Sequence, residues 1–170
     1  MLGAILAGGR STRFGSDKAI ASIEGKPLLA HVAEALAPQV ETLVVCGRDW
    51  PGLTGIPDFP RADLGPLGGL AAALVHAAEH GFSHVLSAGC DVLPVPPDLV
   101  ARLTPAPAVL AEQRLFGLWP SSLAAQLARH LEGGDRSLRG WIAASAARTI
   151  VTGLAFHNIN QVTDLNGFDR

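Results

Sequence analysis

The chain has 170 residues, of which 48% are hydrophobic and 16% are charged, and its formal net charge at pH 7 is -2. This length suits one compact domain, and the high hydrophobic content excludes a disordered chain. Because the net charge is close to zero, we expect neither nucleic acid nor an acidic membrane as a partner, and any bound anion needs a local site. No apolar run reaches membrane-spanning length and the first residues carry no basic leader, which together indicate a cytoplasmic protein.

The first half of the chain alternates short apolar runs with segments of helical periodicity. Leu2–Leu6 is apolar throughout, which is typical of a strand buried on both faces of a parallel sheet. Helices are predicted over residues 27–36 and 66–81, because proline fits a first helical turn and glycine fits a C-terminal cap. Further strands are predicted at Thr42–Cys46 and at residues 84–88, so the order of elements is βαβαβ.

The second half of the chain is less regular, and a short helix is predicted near Asp98. The later elements are strands at 108–111 and 115–118, helices at 121–131 and 137–145, and a final pair of strands at 148–151 and 155–156. The alternation of strands and helices predicts an α/β fold. We expect a three-layer α/β/α sandwich with a mostly parallel, Rossmann-like sheet, in a single domain of residues 1–170.

The segment that follows the first strand, LAGGRSTRFGSDK at residues 6–18, carries most of the chemical information. Glycines directly after a buried strand let backbone N–H groups approach a phosphate closely, and Arg10, Arg13 and Lys18 add positive charge. Ligands of open α/β sheets bind beyond the carboxyl ends of the strands, where this segment lies. It contains neither the GxxxxGK[ST] motif of a P-loop nor the GxGxxG dinucleotide motif. We therefore predict a polyphosphate site of another kind, in preference to an ordinary glycine-rich turn.

Several segments resemble one known family. LAGGRSTRFGSDKA is similar to the LAGG-x-x-x-R-[MF]-G-x-D-K signature of nucleotidyltransferases, and among these it is most similar to the molybdenum cofactor guanylyltransferases. The resemblance continues in chain order through GKPLLAHVAEAL, GPLGGLAAAL, CDVLPVPPDL, FGLWP, GDRSLRGW and NINQVTDL. It implies a nucleotidyltransferase fold with a nucleotide-binding half over residues 1–100 and an acceptor-binding half over residues 101–170. The reaction implied is transfer of GMP from GTP to molybdopterin, with release of pyrophosphate.

The resemblance implies a nucleotide site built around the first loop. The backbone of this loop is expected to contact the base and the phosphates at Leu6, Ala7, Gly8 and Gly9. Lys18 and Arg13 are the expected catalytic cations, which stabilise charge on the phosphates and on the departing pyrophosphate, and Lys18 also binds the nucleotide. Glycine at position 8 favours GTP over CTP, because the related cytidylyltransferases usually read LAAG where this chain reads LAGG.

Two aspartates complete the predicted nucleotide site. Asp91 directly follows the strand at residues 84–88, and the resemblance implies that it acts in catalysis by binding Mg²⁺, a cation that takes oxygen ligands and bridges substrate phosphates. The alternative is that Asp91 caps the proline-rich turn that follows it. Asp58 is expected to accept the N1 and N2 hydrogens of guanine, although Asp63 competes for that role. Gly65 and Pro66 resemble the loop that packs near the base.

On the acceptor side, Asn158 and Asn160 resemble the NxNTPEDL element of the family, whose amides are placed to hydrogen-bond the pterin. Asn160 is equally suited to start a final helix as its N-cap. The chain departs from the family pattern at two places: Cys46 stands where relatives often carry a nucleotide-binding asparagine, and Val162 replaces a proline. The implied partners are GTP, molybdopterin, other cofactor-biosynthesis proteins and molybdoenzyme chaperones.

Residues 76–80 read HAAEH and match HxxEH, a zinc-protease pattern. We interpret them as surface residues, because the helical period places His76 and His80 opposite the side chains predicted to face the core. Those side chains are Leu67, Leu70, Ala71, Leu74 and Ala78. Two other functions stay open on the sequence: a related nucleotidyltransferase that uses CTP or a sugar-phosphate acceptor, and a non-catalytic GTP-binding module. Asp91 argues against the second, since binding alone needs no such carboxylate.

Overall fold

The structure is a computed structural model and describes residues 1–8, 21–23 and 25–158. Its strands are Leu2–Leu6 (β1), Ser22–Ile23 (β2), Lys26–Pro27 (β3), Thr42–Cys46 (β4), Thr54–Ile56 (β5), His84–Gly89 (β6), Val92–Leu93 (β7), Ala108–Leu110 (β8), Gly117–Pro120 (β9), Arg148–Ile150 (β10) and His157–Asn158 (β11). Its α-helices are Leu28–Leu36 (α1), Pro66–Glu79 (α2), Leu99–Leu103 (α3), Ala124–Glu132 (α4) and Leu138–Ala144 (α5). Most of the predicted elements are therefore present near their predicted positions.

Within the described residues, seven strands form one sheet in the order β10-β8-β9-β6-β1-β4-β5. Strand β9 is antiparallel to its neighbours β6 and β8, whereas the other neighbouring pairs are parallel. The central strand β1 has Leu2, Ala4 and Ile5 fully buried, as expected for an apolar strand covered on both faces. The prediction of a mostly parallel sheet is confirmed.

Helices cover both faces of this sheet. Leu2, Ala4 and Leu6 of β1 pack in one core with buried residues of α2, α4 and α5. Ile5 and Ala7 face the other way and pack in a second core with buried residues of α1 and α3. This division follows from the two-residue period of a strand, which sends alternate side chains to opposite faces. The predicted three-layer α/β/α sandwich is confirmed.

The predicted pairing of the last two strands is wrong. Strand β10 pairs with β8 in parallel at the edge of the sheet, residues 155–156 are not a strand, and β11 instead pairs with β7 in antiparallel register. The turn between residues 150 and 155 suggested a hairpin, but the Glu112 carboxylate accepts the backbone N–H groups of Thr152 and Gly153 at 2.7 and 2.6 Å. Those contacts carry the chain away from β10, so the strand near residue 148 is present, but the strand at 155–156 and the pairing of the two are not.

Three smaller differences concern element boundaries. Pro27 belongs to β3 and precedes α1 instead of forming its first turn. Strand β9 begins two residues later than predicted because a turn occupies residues 113–116, closed by a 3.1 Å hydrogen bond from Phe116 N–H to the Gln113 carbonyl. In α2, Ala78 was predicted to face the core, but it is exposed and Ala77 is fully buried instead. The buried face in the last turn therefore continues from Leu74 with a three-residue spacing.

The surface of α2 agrees with the interpretation of the HAAEH segment. His76 and His80 stack with ring centroids 4.0 Å apart at the C-terminal end of the helix, and His80 is exposed. Among the described residues, no group of three or more His, Cys, Asp or Glu side chains is arranged to hold a metal ion. None of the described helices has the length and hydropathy that a membrane crossing requires.

Candidate active site

The carboxyl ends of β4, β1 and β6 meet in one row. Leu6 lies in register with Cys46 on one side and with Gly89 on the other. Two backbone hydrogen bonds extend this pairing past the strands, from Ala7 N–H to the Cys46 carbonyl at 3.0 Å and from Cys90 N–H to the Leu6 carbonyl at 3.2 Å. These backbone groups are used for hydrogen bonds within the sheet. Gly8 follows at the edge of the sheet and is exposed.

Some predicted site residues lie outside the part of the chain that the structure describes. They are Gly9, Arg10, Arg13, Lys18 and Asn160. Their roles stay predictions, as does the effect of Val162.

The Asp58 carboxylate is enclosed by four glycines. A Cβ atom placed on Gly8 would lie 3.1 and 3.2 Å from its two oxygens, and one on Gly47 would lie 3.2 Å from Oδ1. From α2, a Cβ on Gly68 would lie 3.2 Å from Oδ2 and one on Gly69 would lie 3.6 Å from Oδ1. Because side chains at these positions would crowd the carboxylate, the glycines create the space in which it sits.

One oxygen of this carboxylate lacks a hydrogen-bond donor within the part of the chain that the structure describes. Its Oδ1 atom is buried and has no hydrogen-bond partner among the described residues. Burial, and next the negative charge of Asp63, raise the pKa of Asp58 above the usual aspartate range. A buried acceptor without a donor is costly, so the site would gain from a ligand that brings N–H groups to it.

Asp58 is held in place by the loop that leads into α2. Phe59 N–H donates to the Gly68 carbonyl at 3.1 Å, which ties the residue after Asp58 to the first turn of the helix. Further along, Leu64 is almost completely buried, and Gly65, at φ 65°, directly precedes Pro66 at the start of α2. Gly65 and Pro66 therefore stand at the end of the Asp58 loop, and their expected place near the base stays a prediction.

Cys46 turns into the core on the α2 side of the sheet. It is fully buried, and a Cβ on Gly69 would lie 3.0 Å from its Cβ. Burial, and next the charge of Asp58, raise the pKa of its thiol far above the usual range, so the thiol stays protonated at neutral pH. A buried thiol donates hydrogen bonds weakly, so its contribution is packing beneath Asp58.

Asp91 lies on the other side of β1. It is half-buried in the turn that follows β6, and its Oδ1 atom would be 3.2 Å from a Cβ on Gly89. Since β4 and β6 flank β1, the Asp58 and Asp91 sides of the edge are separated by two strand spacings, about 10 Å. Glycine at position 89 thus leaves room for the carboxylate at the end of the strand.

The acceptor-side residue Asn158 is brought to the same edge. In the β7–β11 ladder, Asn158 is in register with Val92, the residue after Asp91, and His157 is in register with Leu93. The C-terminal part of the chain therefore contacts the first hundred residues directly beside Asp91. The predicted contact of Asn158 with an acceptor stays a prediction.

Sequence reasoning missed three of the residues that shape this site: Gly47, Gly68 and Gly69. The signal was present in α2, where two consecutive glycines stand in the first turns of a helix although each costs about 1 kcal/mol relative to alanine. Such a pair needs a packing reason, and Asp58 and Cys46 supply it.

Replacing Gly47 by alanine should lower the free energy of unfolding by about 2 kcal/mol. Gly47 has φ 87°, and its new Cβ would overlap the Cα of Gly8. Gly52→Ala is the matched control, since Gly52 has φ 79° with nothing within 4 Å, and it should cost only about 1 kcal/mol. Chemical denaturation measures both values, and equal costs would contradict the close approach of Gly47 to Gly8.

Two kinds of similarity to known proteins bear on this site. A family model described as a MobA-like NTP transferase domain matches residues 3–149. The chain is 37% identical over 176 residues to a molybdenum cofactor guanylyltransferase of Rhizobium leguminosarum bv. trifolii, which covers 95% of this chain and 78% of that protein. It is 38% identical over 187 residues to a molybdenum cofactor guanylyltransferase of Yersinia pestis, which covers 99% of this chain and 94% of that protein.

A solved structure agrees with the fold. Molybdopterin-guanine dinucleotide biosynthesis protein A from Archaeoglobus fulgidus matches with a TM-score of 0.70 at 23% identity, over 99% of this chain and 87% of that one. At this identity the match shows a shared fold. The family model and the sequence relatives, which span most of the chain, settle the family: the chain belongs to the MobA-like NTP transferase family and is a nucleotidyltransferase.

Proposed function

We propose that this chain transfers GMP from GTP to molybdopterin, forming the guanine dinucleotide cofactor and pyrophosphate. The observation that carries the proposal is the Asp58 carboxylate in its glycine pocket, beside Gly8 at the end of β1, whose buried Oδ1 has no hydrogen-bond partner among the described residues. The names of the relatives from Rhizobium leguminosarum and Yersinia pestis support the same reaction.

Asp58 provides the selection of guanine in this proposal. Guanine carries two adjacent donors, N1–H and the N2 amino group, and an ionised carboxylate accepts both at once. Cytosine does not present this pair, so it would leave one oxygen of a half-buried carboxylate unsatisfied. A buried acceptor without a donor costs more free energy than a hydrogen bond to it contributes. The pocket therefore discriminates against CTP.

The nucleophile requires no general base. A phosphate monoester has a second pKa of about 6, so the acceptor phosphate is mostly deprotonated at neutral pH. It attacks the α-phosphorus of GTP, the bond from that phosphorus to the bridging oxygen breaks, and pyrophosphate leaves with the electron pair. The task of the protein is then alignment and neutralisation of charge. In this proposal Leu6, Ala7, Gly8 and Gly9 contact the base and the phosphates through their backbone.

Asp91 is the proposed ligand of a magnesium ion. Its donor set fits a hard cation, since carboxylate oxygen is the ligand Mg²⁺ prefers and the ion usually completes its shell with water and substrate phosphates. When bound, Mg²⁺ neutralises phosphate charge and orients the triphosphate. Asp91 would hold the ion at the end of β6, on the side of β1 opposite Asp58.

Lys18 and Arg13 are proposed to stabilise the developing charge on pyrophosphate. We expect Lys18→Ala to lower kcat/KM for GTP by about 30-fold, the value of one charge-assisted contact. Lys26→Ala is the matched control, because Lys26 is the only other lysine and forms an ion pair with Glu34 of α1. Steady-state kinetics of both variants measures the effect. Equal losses of kcat/KM in the two variants would exclude Lys18 from the site.

The acceptor is proposed to contact Asn158, where β11 meets β7, and also Asn160, which lies outside the described residues. On this view residues 1–100 mainly bind nucleotide and residues 101–170 mainly bind the acceptor, within one domain. Other cofactor-biosynthesis proteins and molybdoenzyme chaperones would be the partners that supply molybdopterin and receive the product.

Incubation of the purified chain with molybdopterin, Mg²⁺ and either GTP or CTP tests the proposal. We expect pyrophosphate release and a dinucleotide product with GTP, and much slower release with CTP. A preference for CTP, or turnover only with a sugar phosphate as acceptor, would contradict it. GTP binding without turnover would indicate a binding module instead.

A further inference from the structure

The first half of the GDRSLRGW segment, at residues 134–137, forms a compact turn between α4 and α5, and its second half begins α5. The Asp135 carboxylate accepts the backbone N–H of Ser137 at 2.8 Å, and the Ser137 hydroxyl accepts the N–H of Gly140 at 3.0 Å as the N-cap of α5. A Cβ on Gly140 would overlap the Asp135 carboxylate, so only glycine fits there. Most of the motif is therefore explained by the construction of the turn.

This turn rests on a rigid support. Trp141, in the first half of α5, is fully buried, and its ring centroid lies 6.0 Å from that of Trp119 in β9. The ring of His130 from α4 lies 5.6 Å from the same indole, so both helices are fixed against the sheet. A side chain that projects from this turn consequently has a defined position relative to the strand ends.

Arg136 makes a contact that leaves the turn. Its Nη1 donates to the backbone carbonyl of Asp63 at 3.4 Å, across 73 residues of sequence. Asp63 has φ 62°, an unfavourable value for a residue other than glycine, and it stands between Asp58 and Gly65. The guanidinium thus contacts the Asp58 loop at a residue whose backbone has a positive φ.

We propose that Arg136 is a positioning residue for base recognition, which holds the loop of residues 58–65 so that Asp58 faces the guanine site. This inference rests on the proposed function, because it takes Asp58 as the acceptor for guanine. Anchoring at Asp63 supplements the hydrogen bond from Phe59 to Gly68, so the loop is fixed at both ends. The triphosphate side of the site, around Asp91, lies beyond β1 and is untouched by this contact.

Arg136→Met tests the inference, because methionine keeps an extended side chain and removes the donors. Arg139→Met is the control, since Arg139 is an exposed arginine three residues further along, in the first turn of α5. We expect KM for GTP and the dissociation constant of GMP to rise together by about fivefold in Arg136→Met, the value of one hydrogen bond. The inhibition constant of pyrophosphate, which samples the phosphate side only, and kcat should stay within about twofold of wild type. Arg139→Met should match wild type throughout.

Several outcomes would overturn the inference. One is unchanged GMP affinity in Arg136→Met, and another is equal weakening of GMP and pyrophosphate, which would indicate a general structural role. Thermal unfolding of both variants provides the stability comparison, and a large drop in Tm for Arg136→Met alone would also favour a structural role. GMP binding is measured by calorimetry without acceptor, so it does not depend on turnover. A wild-type chain that binds GMP but does not guanylate molybdopterin would refute the proposed reaction, and the effect of Arg136→Met on GMP binding could still be measured. A wild-type chain that binds no GMP overturns both.

Discussion

Asp91→Ala should lower kcat for GMP transfer by about 1,000-fold, which is the loss expected when a group that organises transition-state charge is removed. Asp91 is half-buried at the end of β6 and offers the carboxylate oxygen that a magnesium ion would use. The fold should survive, because the neighbouring strand residues Leu86 and Ala88 are fully buried apolar residues and Asp91 lies in the turn after them.

Steady-state kinetics and thermal unfolding together measure this effect. Asp98→Ala is the matched control, because Asp98 lies seven residues further along and its exposed ion pair with Arg102 contributes little to stability. We expect its kcat to stay within about twofold of wild type, and the Tm of Asp91→Ala to stay within about 2 °C. Full activity of Asp91→Ala with Mg²⁺ would exclude Asp91 from the metal site.

Asp58→Asn should have opposite effects on activity and stability. An amide offers guanine one acceptor oxygen and sets a donor against the other guanine hydrogen, so kcat/KM for GTP should fall by about 100-fold. The preference for GTP over CTP should fall by a similar factor. Steady-state kinetics with each nucleotide measures both effects, and an unchanged GTP preference would exclude Asp58 from base recognition.

Stability should change in the other direction. Burial and the Asp63 charge raise the pKa of Asp58 in the folded state, so the protonated form contributes stability at low pH. That contribution is lost as the pH rises from the unfolded value, about 3.9, through the raised folded value. Asparagine does not titrate, so Asp58→Asn should be more stable than wild type at pH 7 by about 2 °C in Tm.

The pH dependence separates this effect from general changes in surface charge. The Tm difference between Asp58→Asn and wild type should grow above about pH 4 and then level off. Asp49→Asn, which removes an exposed carboxylate after β4, is the control for the loss of one negative charge. A lower Tm for Asp58→Asn at pH 7 would mean that the carboxylate has a donor in the folded chain.

Elements with strong local signals could be predicted from the sequence. The continuous apolar run of β1 and the proline and glycine at the two ends of α2 identified both elements, and the βαβ order then limited the sheet to a mostly parallel one. The partner of β10 could not be predicted, because it depends on contacts such as Glu112 with Thr152 that join distant segments. The two-residue strands β7 and β11 escaped notice for the same reason, since neither has a pattern of its own.

The candidate site divides in the same way. Asp58, Gly65, Pro66 and Asp91 were identified from their motifs, and their roles stay predictions. The glycine pocket of Asp58 could not be predicted, since Gly8, Gly47 and the pair in α2 come together only when β1, β4 and the helix pack. The contact of Arg136 with Asp63 likewise depends on how the α4–α5 turn meets a loop 73 residues away.

A crystal structure of the chain with Mg²⁺ and a non-hydrolysable GTP analogue tests the central claim most directly. The claim is that the strand ends of β4, β1 and β6 hold a magnesium nucleotide with its base at Asp58 and its metal at Asp91. We predict guanine N1 and N2 within hydrogen-bonding distance of the Asp58 carboxylate, and a metal ion bound to an Asp91 oxygen. A nucleotide bound away from these strand ends, or bound in the reverse orientation, would contradict the account.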